Sequence, residues 1–359
     1  MRALRYHGPY DVRLEYDTPE PECLPHQVKI RPAFCGICGS DLAAYTSPES
    51  LPFKDKPHPL TGETWPITLG HEFSGEIEEL GSQVQAGLKP GDRVVVQPTI
   101  CCNQCTPCKE GATNCCYNFG FIGLMGWGGG LSDFACIDAR FVFKLPDTIP
   151  LEIGALVEPL AVAWHAVDQA KIKPGINAIV LGAGPIGLAV VQILKMKEAK
   201  QIIVIEMASQ RKEMAMNFGA TTVLDPREDD PVSGSKALCD GEGPEVAFDC
   251  AGTSASIKNA CLAIQNKGLV VNVAVWKQDV PFHFNNIVFG EKTIYAALSY
   301  TSRDFESVIR ALDGGLPSVR EMITGKTTMN RAVEDGICAL LNEKEKERHI
   351  KILVDVRAQ

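Results

Sequence analysis

A thiol, an imidazole and a carboxylate can together hold a zinc ion, and this sequence offers all three in short glycine-flanked turns. Cys35-Gly-Ile-Cys38-Gly-Ser40-Asp41 supplies Cys38, a soft metal ligand once ionised, with the Ser40 hydroxyl two positions on and able to pass protons. Gly70-His71-Glu72 adds an imidazole beside a carboxylate, and Leu156-Val-Glu158-Pro159 adds a further acid. Three protein ligands of mixed N, S and O type with one position left open are what a catalytic zinc needs. Taken singly, these residues have ordinary readings as a buried thiol, a core imidazole and a surface acid. The case for chemistry rests on their company.

Two further motifs supply that company. Cys102-x-x-Cys105-x-x-Cys108 is followed by Cys116 after seven intervening residues. Four thiolates so closely spaced make a closed tetrahedral zinc site with no room for substrate, which is a structural role. Cys101 and Cys115 lie next to this set and offer competing thiols. Farther on, the apolar run Ala178-Ile-Val-Leu181 meets Gly182-Ala-Gly184-Pro185-Ile186-Gly187, and Leu188 to Lys197 reads as the helix this turn opens. A second apolar run, Gln201 to Ile205, ends in Glu206, 19 positions beyond Gly187. That is the pattern of a dinucleotide-binding Rossmann unit. The glycines allow a tight turn and close pyrophosphate approach, the helix start supplies positive potential, and the acid takes the adenosine ribose hydroxyls. Arg211 nearby complicates the choice between NAD and NADP, because an arginine can pair with a 2′-phosphate.

The sequence resembles the zinc-dependent medium-chain dehydrogenase/reductase superfamily, whose Gly-x-Cys-x-[Ser/Thr]-Asp loop, Gly-His-Glu turn and later acid match Cys38, His71 and Glu158. The runs His58-Pro-Leu-Thr-Gly-Glu, Pro66 to Gly75 and Val157 to Ala166 are similar to the butanediol dehydrogenase branch, with the sorbitol dehydrogenases next. The likeness continues to the closing Ile350-Lys-Ile-Leu-Val and so covers essentially the whole chain. It implies an α/β protein with a discontinuous, β-rich, GroES-like catalytic domain at 1–155 and 291–359. It further implies a structural zinc lobe at 101–117 and a doubly wound Rossmann cofactor domain at 156–290. It also implies two zinc ions per chain, with Glu72 a further candidate ligand that exchanges with Glu158 or water in some relatives. Only the 102/105/108/116 set reproduces the family's cysteine spacing. Ser40 is implied to take the alcohol proton while hydride passes to nicotinamide, and the assembly to be a homodimer or homotetramer.

The rest of the sequence must position these groups. With 359 residues it is long enough for about two domains, each with its own core. A net charge of -9 argues against nucleic acid or an anionic membrane as the main partner. No signal-peptide core or membrane-length apolar run is seen, so the expected location is the cytosol, where fourteen cysteines read as metal ligands and buried thiols. Residues 1–34 alternate apolar and polar between prolines, as strands do, and Gly91-Asp-Arg-Val reads as a turn feeding a strand. Gly123 to Gly130 reads as a flexible glycine-rich loop, Leu151 to Gln169 as helix, and 226–244 as a surface insertion.

The expected reaction is NAD-dependent interconversion of a small secondary alcohol or vicinal diol with its ketone, 2,3-butanediol and acetoin being the family's nearest pair. One departure stands out. Relatives commonly carry His five positions after the metal-binding Cys, as the end of a proton relay, and here that residue is Ala43. This motivates an alternative in which the same fold reduces an imine or a conjugated double bond. An alternative of another class, a zinc-ribbon binding module, is supported by the four-cysteine lobe alone and opposed by the acidic charge and the dinucleotide motif.

Overall fold

The computed structural model describes residues 1–47, 54–85, 87–276, 278–316 and 319–358. Contacts divide the chain into two units, one of Met1–Glu158, Thr301–Gly314 and Arg320–Gln359, the other of Pro159–Tyr300 and Gly315–Val319.

The first unit is built on a seven-stranded sheet. Its path runs from Val142–Lys144 through Arg93–Val96, Glu72–Leu80, Gln27–Gly36 and Lys351–Asp355 to Ile323–Thr328, and Ala135–Asp138 also pairs with Gln27–Gly36. The alternation of Val28-Lys-Ile-Arg puts Val28 and Ile30 into the core with Phe73, Val94 and Val96, while Lys29 and Arg31 point the other way. Register matters more than composition here. Gly36 pairs with Glu72 on one side and Leu353 on the other, so the first residue of one strand and the closing strand of the chain meet across a glycine.

The second unit is a six-stranded parallel sheet ordered Thr222–Leu224, Gln201–Ile205, Asn177–Leu181, Val246–Asp249, Leu269–Asn272, Thr293–Ala296. Its strands are short, nearly all apolar runs, as a sheet covered on both faces requires, and Ile179, Ile203, Ala247 and Val270 form its core. The order reverses between Asn177–Leu181 and Val246–Asp249, which opens a crevice at the carboxyl ends of those strands. The sixth strand lies beyond the residue-290 boundary drawn from the sequence. It forms an edge, and all four of its residues are exposed.

One local expectation gains detail and another is corrected. The stretch 226–244, read as a surface insertion, has regular structure of its own. It contains the helix Pro231–Ala237, started by Asp230, whose carboxylate accepts from the amides of Val232 and Ser233, with Pro231 at the first helical position. The glycine-rich stretch 123–130 is packed rather than loose. Gly130 N donates to Gly70 O at 2.7 Å, and a Cβ at Gly129 would lie 2.3 Å from Leu69 O. The glycines let one backbone lie directly on another. Among the described residues no helix is long and apolar enough to cross a membrane.

Candidate active site and cofactor site

Cys38 directly precedes the short helix Gly39–Thr46, and His71 and Glu72 stand where the backbone enters the strand Glu72–Leu80. One ligand atom from each of Cys38, His71 and Glu72 lies within 4.8 Å of the others. Asp41 ties the set together. Its Oδ2 accepts from the Cys38 amide at 2.9 Å, and its Oδ1 faces His71 Nδ1 at 3.5 Å. Those two facing atoms are buried with no closer partner, the arrangement by which a carboxylate orients a metal-binding imidazole. On the other side of the ring, Ser40 Oγ lies 3.2 Å from His71 Nε2. Burial works against a charged His71, but the Asp41 carboxylate outweighs it and holds the ring well above the usual imidazole range.

Glu158 stands in the first turn of Val157–Gln169, buried, and outside the three-residue group. Its charge still reaches Lys351. Reading the sequence missed Lys351. Its Nζ donates to both Glu72 oxygens at 2.7 Å and to Ile37 O at 3.2 Å. Burial opposes the ammonium charge and Glu72 overcomes it, so Lys351 stays above the usual lysine range. The only hint in the sequence is a lysine inside the apolar run Ile350 to Val354. Gly36 makes the pair possible, because a Cβ there would fall 2.0 Å from Glu72 Oε2.

The four-cysteine set also assembles. Cys102, Cys105, Cys108 and Cys116 bring their sulfurs within 4.8 Å of one another. Backbone amides of Gln104 and Cys105 donate to Cys102 Sγ, and those of Cys102 and Asn118 to Cys116 Sγ, at 3.3–3.5 Å. The amides of Tyr117 and Cys108 pull the Cys105 thiol down to about 6. Such donors favour the thiolate form that zinc binds, while burial pushes the Cys108 and Cys116 thiols the other way. Cys101 instead donates to Asn103 Oδ1 at 3.1 Å, and Cys115 is exposed; neither belongs to the set.

In the second unit, Gly182 has φ +91, a conformation suited to glycine, and a Cβ on Gly187 would lie 1.9 Å from Gly182 O. Gly184 caps the helix Pro185–Met196, and the space where its Cβ would stand is open. Backbone amides at this turn, with Pro185 and Ile186 in the first helical turn, suit a pyrophosphate. Glu206 Oε2 accepts from Ala183 N at 2.8 Å, and its Oε1 accepts from the amides of Met207 and Ala208, which places the carboxylate beside the glycine turn. Arg211 lies in the first turn of Ser209–Phe218, where a cation opposes the helix dipole. Arg227 was not anticipated from the sequence. Held by Asp225 at 2.9 and 2.5 Å, it donates to Met207 O at 2.6 Å and adds a second positive charge near Glu206.

Residues 24–147 match the alcohol dehydrogenase GroES-like domain family, and residues 185–314 match the zinc-binding dehydrogenase family. The chain is 41% identical to (R,R)-butanediol dehydrogenase of Bacillus subtilis over 356 residues, covering 99% of each. It is 34% identical to (R,R)-butanediol dehydrogenase of Saccharomyces cerevisiae, covering 99% of this chain and 98% of the relative. Its fold is similar to the crystal structure of 2R,3R-butanediol dehydrogenase from Bacillus subtilis, with TM-score 0.92, 39% identity and 99% of each chain covered. It is also similar to a zinc-binding dehydrogenase from Sinorhizobium meliloti bound to NADP, with TM-score 0.87, 27% identity and 99% of each chain covered.

Proposed function

From a chain that belongs to the zinc-dependent medium-chain dehydrogenase/reductase superfamily, and so is an oxidoreductase of CH–OH donors, we propose a narrower activity. It exchanges hydride between NAD(H) and a small secondary alcohol or vicinal diol, 2,3-butanediol and acetoin being the model pair. The observation that carries this reading is the joined set Cys38, His71 and Glu72, with Ser40 beside the imidazole, in a chain whose full-length relatives include two named (R,R)-butanediol dehydrogenase.

The donor set fits zinc, with Cys38 and His71 as two ligands and Glu72 or Glu158 as the third. Zinc bound there supplies Lewis acidity toward a substrate oxygen. The protein's own groups do the rest. Asp41 fixes the orientation of His71, Ser40 passes the alcohol proton, and Lys351 balances the charge of Glu72. Cys102, Cys105, Cys108 and Cys116 hold a second, structural zinc. In the cofactor domain, Gly182, Gly184, Pro185, Ile186 and Gly187 receive the pyrophosphate. Glu206 takes the ribose hydroxyls and repels a 2′-phosphate, which favours NAD over NADP despite Arg211 and Arg227.

A homodimer or homotetramer is supported by the exposed edge strand Thr293–Ala296, with Phe289, Ile294 and Leu298 also exposed. An open parallel edge of that kind invites pairing with another chain. A cytoplasmic location is supported by two thiolate-based sets that need a reducing compartment. The specialised-reductase reading stays tied to Ala43. The separate zinc-ribbon reading loses its ground once relatives match the whole chain as dehydrogenases.

The test is a panel of vicinal diols, secondary alcohols, hydroxyketones, imines and enones, assayed with NAD(H) and NADP(H). The expected result is the highest kcat/KM for a vicinal diol and its hydroxyketone with NAD(H). Turnover confined to imines or enones would overturn it.

A further inference from the structure

Arg2, Arg31 and Arg357 come from the first, third and last strand regions of the first unit, yet they line one cavity of about 440 Å³ together with Tyr16 and Asn330. None of these residues belongs to either zinc group. Three guanidinium groups repel one another, so bringing them together in a chain of net charge -9 asks for a reason.

Two of the three are fixed in place. Arg2 donates through Nε to Asp133 Oδ1 at 3.0 Å and through Nη2 to Val356 O at 3.0 Å. Arg357 donates through Nε to Pro32 O at 3.2 Å and through Nη2 to Arg31 O at 3.0 Å, and its Nη1 lies 2.9 Å from Glu76 Oε2. A guanidinium has five N–H donors, so both keep donors beyond these bonds. The Asp133 and Glu76 carboxylates balance the charges of Arg2 and Arg357. Arg31 differs. Its backbone carbonyl is used, but among the described residues its exposed guanidinium has no partner, so the net positive charge of the cavity rests on it. Tyr16 donates its hydroxyl to Asn330 Oδ1 at 3.0 Å, and both residues line the cavity.

We propose that this cavity binds a small oxyanion, a phosphate monoester or a dicarboxylate. Preorganised guanidinium forks match the paired oxygens of such groups. The walls are dominated by donors, and the unspent charge of Arg31 favours an anion over a neutral ligand. The ligand ties Arg2 and Arg357, near the two ends of the chain, to the strand Gln27–Gly36 between them, so it stabilises the first unit without entering the dehydrogenase site.

The test uses the zinc-loaded, full-length enzyme with saturating NADH, which blocks anion binding at the cofactor's pyrophosphate site. It is titrated calorimetrically with phenyl phosphate in one arm and succinate in the other, at ionic strength matched with sodium chloride. Saturable binding with Kd below about 1 mM is expected in at least one arm, and the responding arm identifies the oxyanion class. Arg31→Gln should weaken it at least about tenfold and leave diol turnover unchanged, while Arg31→Lys, which keeps the charge and loses the fork, should fall between. No saturable binding in either arm, or equal affinity in Arg31→Gln, overturns the proposal.

Discussion

Lys351 Nζ lies 2.7 Å from both carboxylate oxygens of Glu72, with the two side chains 2% and 0% exposed. Removing one partner of such a pair leaves an uncompensated buried charge, which costs about 3–5 kcal/mol, whereas replacing both with apolar groups is often nearly neutral. Lys351→Met should therefore lower stability by that amount, and the double variant Lys351→Met/Glu72→Leu should recover most of it. Urea denaturation of the two singles and the double measures the coupling. Strictly additive losses would mean that the pair does not act as a unit.

The glycine-rich stretch supports the site through contact rather than mobility. A Cβ at Gly130 would lie 2.3 Å from Phe73 Cβ, and one at Gly123, where φ is +80, would lie 2.2 Å from Gly70 O. Overpacking of this kind typically costs about 1–3 kcal/mol. Gly130→Ala should lower both the unfolding midpoint and the zinc content, because Phe73 follows the His71-Glu72 pair directly. Gly128→Ala, whose nearest neighbour would be 3.9 Å away, should cost only the backbone strain. If the two variants lose zinc equally, packing against Phe73 is not what holds the turn.

Much of the candidate site is legible in the sequence because the residues that come together sit in short local motifs. Cys102, Cys105, Cys108 and Cys116 lie within one loop, and Gly182 to Glu206 spans one strand–helix–strand unit. The Glu72–Lys351 pair was not legible, because it joins residues 279 apart through strand register. Gly123–Gly130 misled for a related reason. Glycine marks both slack loops and close backbone approach, and only the tertiary neighbour distinguishes them. The start of the helix at Pro231 was legible in Asp230-Pro231, a cap followed by a first-turn proline, and was masked by the polar composition around it. Sequence alone does not rank Glu72 against Glu158, since that choice depends on where Lys351 lies.

Cofactor choice tests Glu206. Its carboxylate sits at the glycine turn, bound to the Ala183, Met207 and Ala208 amides. Glu206→Gln removes the negative charge and leaves Arg211 and Arg227 in place. The ratio of kcat/KM for NAD over NADP should fall by about tenfold or more. A wild-type enzyme equally efficient with both cofactors would count against Glu206 lying at the ribose.

Ala43 tests the proton path. It is half-buried in the helix Gly39–Thr46, three residues beyond Ser40, and its side chain can neither take nor give a proton. A terminal relay group is worth less than the roughly 100-fold to 10,000-fold of direct acid–base assistance. Ala43→His should raise diol oxidation at pH 7 by about tenfold, with a smaller gain at pH 10, where hydroxide removes the proton. Added imidazole should act in the same direction on the wild type. An unchanged rate and pH profile would show that water already completes the path, and would remove the main support for a specialised reductase.

The most direct test of the zinc-dehydrogenase account is the metal content of the purified protein set beside that of Cys38→Ala. The account predicts two zinc ions per chain in the wild type and one in the variant. The variant should keep its fold and NADH binding while losing diol oxidation. A Cys38→Ala protein that retains two zinc ions and full activity would contradict the assignment of Cys38 and His71, with Glu72 or Glu158, as the catalytic centre.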